Sequence, residues 1–227
     1  MELNKYIEHT NLKADAKESD IRKLCEEAIN YKFAAVVVNP HFVPLASLLL
    51  KNENIEVATV VGFPLGANTT EVKVYEAIDA IENGATEIDM VANIGAIKDH
   101  DYEYVKTEIE DVRNSIDGKT LKVIIETCYL DKEEIEKMTE ICNETFVNFI
   151  KTSTGYGTRG VSLNDIDIIN SKKNEILEIK ASGGIKTKKD AISLIEKGVT
   201  RIGTSSGVEI INCDCENRRH LWNYMMN

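Results

Sequence analysis

Short apolar, β-branched runs alternate along the whole chain with longer stretches in which apolar residues recur every three or four positions. A continuous apolar run of four to eight residues suits a strand buried on both faces, and the longer spacing suits a helix with one buried stripe. Eight runs are expected as strands: Lys5–Thr10, Ala34–Val38, Val57–Phe63, Glu87–Ala92, Leu121–Thr127, Phe146–Ser153, Glu178–Ala181 and Arg201–Ser205. Between them, Ile21, Leu24, Cys25, Ala28 and Ile29 mark the core face of the first helix, and Val105, Ile109, Val112 and Ile116 that of the fourth. Asp101 and Thr187, the latter with Asp190 three residues on, are placed as N-caps, and Gly84, Gly118 and Gly198 fall where helices should stop. Strand–helix alternation predicts a parallel sheet. Eight strands with seven intervening helices predict the α/β class and a (β/α)8 (TIM) barrel, as a single domain over residues 1–227. An open doubly wound sheet is the alternative, but no G-x-G-x-x-G follows the first strand to support it.

Composition narrows the partners. The chain has 227 residues, 43% of them hydrophobic, and 38 acidic against 27 basic side chains give a net charge of −11. That charge repels phosphate backbones and anionic lipid heads, so neither nucleic acid nor membrane is expected as a partner. No apolar stretch is long enough to cross a bilayer, and MELNKYIEHT lacks the basic-then-apolar layout of a secretory signal, so a cytosolic location is expected. The five cysteines, Cys25, Cys128, Cys142, Cys213 and Cys215, are scattered and form no CxxC pair, so reduced thiols are expected. Cys213-x-Cys215 with His220 nearby is a poor match to the spacings that zinc sites prefer.

Candidate chemistry is where polar residues interrupt buried strands. In a barrel, reactive groups sit at the carboxyl ends of the strands. Lys151 follows Phe146-Val-Asn-Phe-Ile150, and Lys180 follows Ile176-Leu-Glu-Ile179. One lysine near a strand end usually snorkels to solvent. Two on adjacent strands, about 4.8 Å apart, share a barrel mouth. Like charge and desolvation both lower an amine's pKa, and a neutral amine is what a Schiff-base nucleophile requires. Asp89, inside Glu87-Ile-Asp-Met-Val91, is a third polar group on an apolar strand; beside two lysines it is placed to shuttle protons for a carbinolamine, although a paired structural carboxylate would look the same.

Glycines add a second feature. Thr154-Gly155-Tyr156-Gly157 follows strand six, Ser182-Gly183-Gly184 follows strand seven, and Gly203-Thr204-Ser205-Ser206-Gly207 closes strand eight. Each is an ordinary turn composition taken alone. Together they coincide with the phosphate site of many barrels, where free N–H groups and the Ser205 and Ser206 hydroxyls can hold an anion. A phosphorylated substrate is expected.

These segments resemble deoxyribose-phosphate aldolases. The resemblance runs through Ile7-Glu-His-Thr10, Val38-Asn-Pro40, Val61-Gly-Phe-Pro-Leu-Gly66, Glu87-Ile-Asp-Met-Val91, Lys122-Val-Ile-Ile-Glu-Thr127, Phe149-Ile-Lys-Thr-Ser-Thr-Gly155, Lys180-Ala-Ser-Gly-Gly-Ile185 and Arg201-Ile-Gly-Thr-Ser205, nearly the whole chain. It implies a metal-independent lyase without a cofactor that reversibly cleaves 2-deoxy-D-ribose 5-phosphate to D-glyceraldehyde 3-phosphate and acetaldehyde, in a small homo-oligomer. By the same resemblance the Schiff-base lysine falls on Lys151, the second lysine on Lys180 and the proton-transfer aspartate on Asp89. The phosphate contacts fall on Gly155, Gly183, Gly184, Gly203, Ser205 and Ser206. Three positions depart from the pattern: Val37 stands where many members have cysteine, Tyr156 where some carry lysine, and Tyr224 is followed by Met-Met-Asn instead of ending the chain. The role of a terminal tyrosine is therefore not carried over to Tyr224.

Two other readings use the same residues. A phosphate-binding barrel lyase, isomerase or synthase would use the lysines as electrostatic stabilisers without an imine, and a sugar-phosphate binding protein would use the barrel without catalysis.

Overall fold

The computed structural model describes residues 1–213. Tyr224, Cys215 and His220 lie outside the described residues. Eight parallel strands close into a barrel in sequence order: β1 (Ile7–Asn11), β2 (Ala35–Val38), β3 (Glu56–Val61), β4 (Glu87–Val91), β5 (Thr120–Ile124), β6 (Phe149–Lys151), β7 (Glu178–Ser182) and β8 (Arg201–Thr204). The closing pair sets Ile7 of β1 beside Ile202 of β8. The (β/α)8 barrel expected from the alternation is the fold observed.

The outer layer holds α1 (Glu18–Tyr31), α2 (Val43–Leu50), α3 (Thr70–Glu82), α4 (Ile94–Lys98), α5 (Tyr102–Ser115), α6 (Lys132–Glu144), α7 (Leu163–Lys172), α8 (Lys188–Glu196) and α9 (Gly207–Asn212). The stripe of Ile21, Leu24, Cys25 and Ala28 on α1 is buried, as are Val105, Ile109 and Val112 on α5. The caps act as their chemistry suggests: the Asp101 side chain accepts from the Tyr104 N–H, and the Thr187 hydroxyl accepts from the Asp190 N–H. After α8, Gly198 takes a left-handed turn while the Val199 N–H returns to the Leu194 carbonyl, which satisfies the helix end.

Several strand boundaries differ from the periodicity, and three of them have a clear backbone reason. Leu3–Tyr6 is a 3-10 turn, so β1 starts only at Ile7. β5 ends at Ile124 because Glu126 is left-handed at φ 51° and a 3-10 turn follows at Thr127–Tyr129. The apolar run Phe146–Phe149 looks continuous in sequence, yet Phe146 is left-handed at φ 53° and terminates α6, with the Val147 N–H bonded to the Cys142 carbonyl. Strand β6 is left with three residues, the last of them Lys151. The one-turn helix α4 also intervenes between β4 and α5.

Candidate active site

Strand register brings the two lysines side by side: Lys151 of β6 is the direct neighbour of Lys180 of β7. Asp89 enters from β4. One of its carboxylate oxygens, Oδ2, accepts from Lys151 Nζ at 2.7 Å and from Lys180 Nζ at 2.6 Å. The other, Oδ1, accepts from Lys122 Nζ of β5 at 2.8 Å. Lys180, Asp89 and Lys122 are fully buried, and Lys151 is 3% exposed.

The electrostatics follow from that packing. Burial is the largest influence on Lys151 and lowers its pKa to about 8; attraction to Asp89 opposes this, and repulsion from Lys180 assists it. Desolvation therefore outranks the lysine–lysine repulsion that the sequence placed beside it. Burial would raise the Asp89 pKa, but Lys122, Lys151 and Lys180 outweigh it and hold the carboxyl well below the ordinary carboxylate range. Asp89 is thus a carboxylate at neutral pH, able to accept a proton only transiently.

Beneath this trio lies a second layer of charge. Lys122 Nζ lies 2.5 Å from a Glu87 oxygen and 3.6 Å from Glu8. Glu8 of β1 also pairs with Lys180, and its other oxygen meets the Arg201 guanidinium of β8 at 3.3 Å. Arg201 in turn lies 3.6 Å from Glu87 and 5.7 Å from the centre of the Phe149 ring. Glu8, Glu87, Lys122 and Arg201 have no assigned role in the sequence reading. The signal for Lys122 was present, a lysine inside an apolar strand like Lys151; that for Glu8 and Arg201 needed knowledge that the first and last strands meet.

Above Lys151 the mouth opens into a cavity of about 840 Å³. Its wall includes Lys151, Gly155, Gly183, Gly184, Gly203 and Ser205, but not Ser206. Ser206 instead stands at the N-cap position of α9, without a side-chain capping bond, and its N–H is already bonded to the Thr204 hydroxyl at 3.0 Å. Gly183 is left-handed at φ 86°, and a side chain there would meet Gly160 Cα at 2.8 Å, so the loops after β6 and β7 touch backbone to backbone. Gly203 has a different reason: a Cβ on it would sit 3.2 Å from the Lys180 side chain, which passes over it.

The loop after β6 is held from both sides. Buried Glu126 accepts from the Thr154 hydroxyl and, at 3.2 Å, from the Thr154 N–H. Tyr156 reaches across the mouth, donating its hydroxyl to the Leu12 carbonyl at 2.8 Å and setting its ring edge-on to Phe63. Among the described residues no group of three or more His, Cys, Asp or Glu side chains is placed to hold a metal ion. Cys25 and Cys142 are buried, with thiol pKa values pushed up by burial to about 11 and about 12.

A closed parallel barrel with titratable groups and glycine-rich loops gathered at the carboxyl ends of its strands is the layout of the (β/α)8 enzymes. Residues 4–212 match the DeoC/LacD family of aldolases, and the chain belongs to that family. A deoxyribose-phosphate aldolase of Thermococcus gammatolerans is 52% identical over 215 residues, covering 93% of this chain and 96% of the relative. One of Finegoldia magna is 50% identical over 211 residues, covering 93% and 99%. Among solved structures, the tetrameric deoxyribose phosphate aldolase of Aeropyrum pernix superposes with a TM-score of 0.86 at 31% identity, over 96% of this chain and 92% of that one.

Proposed function

We propose that this chain is a deoxyribose-phosphate aldolase, a lyase that reversibly cleaves 2-deoxy-D-ribose 5-phosphate to D-glyceraldehyde 3-phosphate and acetaldehyde through an imine on Lys151. The observation that carries the reading is a buried amine with its pKa lowered to about 8, opening onto a cavity and hydrogen-bonded to a carboxylate shared with a second lysine. Family membership and relatives at about half identity supply the substrate.

In the synthetic direction, neutral Lys151 Nζ adds to the carbonyl carbon of acetaldehyde, giving a carbinolamine. Loss of the hydroxyl as water requires a proton delivered to oxygen and one removed from nitrogen. Asp89 Oδ2 touches both Nζ atoms, so with an ordered water it can pass a proton between Lys151 and Lys180 without moving a heavy atom far. Protonated on nitrogen as the iminium ion, the adduct loses a proton from its methyl carbon to give the neutral enamine, whose carbon attacks the aldehyde of glyceraldehyde 3-phosphate; the aldehyde oxygen takes up a proton and the iminium re-forms. Hydrolysis returns Lys151. Cleavage runs the same steps backwards. The phosphate is assigned to the wall of Gly155, Gly183, Gly184, Gly203 and Ser205, with Ser206 behind it; binding there orients carbons that offer little grip of their own. A homo-oligomer in the cytoplasm is part of the same proposal: the Aeropyrum pernix relative is tetrameric, and no described helix is long and apolar enough to cross a membrane.

The test is borohydride reduction in the presence of acetaldehyde, followed by peptide mass spectrometry. N-ethyl-lysine at position 151 is expected. No adduct, or adducts confined to surface lysines, would sink the imine and favour a barrel enzyme that uses its lysines only as charges.

A further inference from the structure

Three lysines point into the barrel, yet imine formation needs one of them neutral and the others charged. The buried groups of this cluster are three acids, Glu8, Glu87 and Asp89, against three amines, Lys122, Lys151 and Lys180. Arg201 adds a fourth cation by reaching in from the amino-terminal end of the barrel to Glu8 and Glu87. With every group ionised the cluster carries one surplus positive charge in a largely buried site, where uncompensated charge is costly. Release of one proton removes the surplus. What remains is which amine releases it.

Geometry separates the three. Lys122 faces Asp89, Glu87 and Glu8, and Lys180 faces Asp89 and Glu8. Lys151 meets one carboxylate oxygen, and Lys180 shares it. Among the groups that face Lys151 from the surrounding strands, Asp89 and, more distantly, Glu8 favour its charged form, and Lys180 opposes it. Glu56 and Glu178 act on Arg201 from the rim of the opposite end. Strand β2 contributes only Ala35 and valines. We propose that Lys122, clamped between Asp89 above and Glu87 and Glu8 below, is a positioning residue that keeps its own proton, occupies one oxygen of Asp89, and so makes Lys151 the amine that is neutral. The proposal rests on the imine reading of Lys151 but concerns a residue that touches neither the cavity nor the substrate. The direction of the Lys122 pKa agrees: burial would lower it, and Asp89, Glu8 and Glu87 together raise it.

The consequence is a pair of shifts of opposite sign. In Lys122→Met the Asp89 carboxylate turns wholly to Lys151 and Lys180 and one cation is lost, so Lys151 keeps its proton to higher pH. In Glu87→Gln, Lys122 leans harder on Asp89 and one buried anion is lost, so Lys151 releases its proton at lower pH. The readout is the pH dependence of borohydride trapping of acetaldehyde at Lys151, quantified by peptide mass spectrometry on the full chain. The midpoint is expected to rise by about one pH unit in Lys122→Met and to fall in Glu87→Gln, relative to the parent. General loosening of the barrel would expose Lys151 and move both midpoints upward, so opposite signs separate positioning from damage. Should Lys122→Met fail to fold, Glu87→Gln decides alone: a lower midpoint supports the proposal, and an unchanged or higher one overturns it. Trapping of the parent chain at pH 10 separates this from the imine reading, because absence of an adduct there defeats that reading, whereas an adduct with unshifted midpoints in both variants defeats only the role of Lys122.

Discussion

Lys151 is held in a condition that water would not choose, and the fold bears the cost. Its pKa in the barrel is about 8 against an ordinary 10.5. Below pH 8 the folded chain must keep an ammonium in a buried site that the unfolded chain keeps in water, so the group lowers stability there. As pH rises from 8 towards 10.5 the unfolded chain also loses its proton and the penalty fades. Lys151→Met, which abolishes the proposed imine, is therefore expected to unfold at a higher temperature than the parent at pH 7, by ~1–3 kcal/mol of stability. The gain should vanish near pH 10.5. Thermal melts of both proteins across this range check it, and a variant less stable than the parent at pH 7 would show that the Asp89 contact outweighs desolvation. At this scale much of the candidate site was legible: lysine and aspartate inside apolar strands are costly anywhere, so Lys151, Lys180 and Asp89 stand out by residue type and position. Lys73 did not. Its place on α3 reads as a solvated helix face, whereas it is fully buried, paired with Glu108 at 2.6 Å and bonded to the Val91 carbonyl.

Elements are where the sequence pattern and the structure part most visibly. Hydrophobicity extended strand six back to Phe146, but strand length is set by where α6 finishes its own hydrogen bonds. The left-handed residue that closes it happens to be a phenylalanine, 70% exposed. A left-handed conformation costs a residue with a Cβ about 1–2 kcal/mol, part of which glycine returns as chain entropy. Phe146→Gly is expected to stabilise the fold by up to ~1 kcal/mol, visible as a higher midpoint in urea, and to leave acetaldehyde trapping at Lys151 unchanged. A lower midpoint would mean that the exposed ring makes contacts worth more than the backbone strain. The glycines at the mouth show a related limit. Composition marked Gly155, Gly183, Gly184 and Gly203 alike, but only the packed structure distinguishes the left-handed turn at Gly183 from the clearance that Lys180 needs at Gly203.

Across the whole molecule, the charged core makes stability depend on acid in a defined window. Glu8 and Asp89 have pKa values lowered from 4.5 and 3.8 by the lysines around them, the cations outweighing burial. Their contribution is fully present above those ordinary values and is lost as pH falls through the lowered ones. Glu87 and Glu108, raised by burial, act in the opposite sense and soften the upper edge of the transition. The melting temperature is expected to fall steeply below about pH 4. In Asp89→Asn, less stable at neutral pH because three ammonium groups lose their shared partner, the same acid range should produce a smaller drop. Equal slopes in parent and variant would remove Asp89 from the acid response.

The amino-acid sequence by itself determined the alternation of buried strands and one-faced helices, the number of strands, and the strands that carry Lys151, Lys180 and Asp89, because periodicity and burial cost are local properties of the chain. Tertiary structure alone decided what surrounds those groups. Closing the barrel sets β1 against β8, carrying Glu8 to Lys180 and Arg201 across more than 170 positions of chain, and stacks Lys122 under Asp89. Charge acts through distance in space and through the absence of water, neither of which is written along the chain, so the amine that loses its proton is a property of the closed barrel.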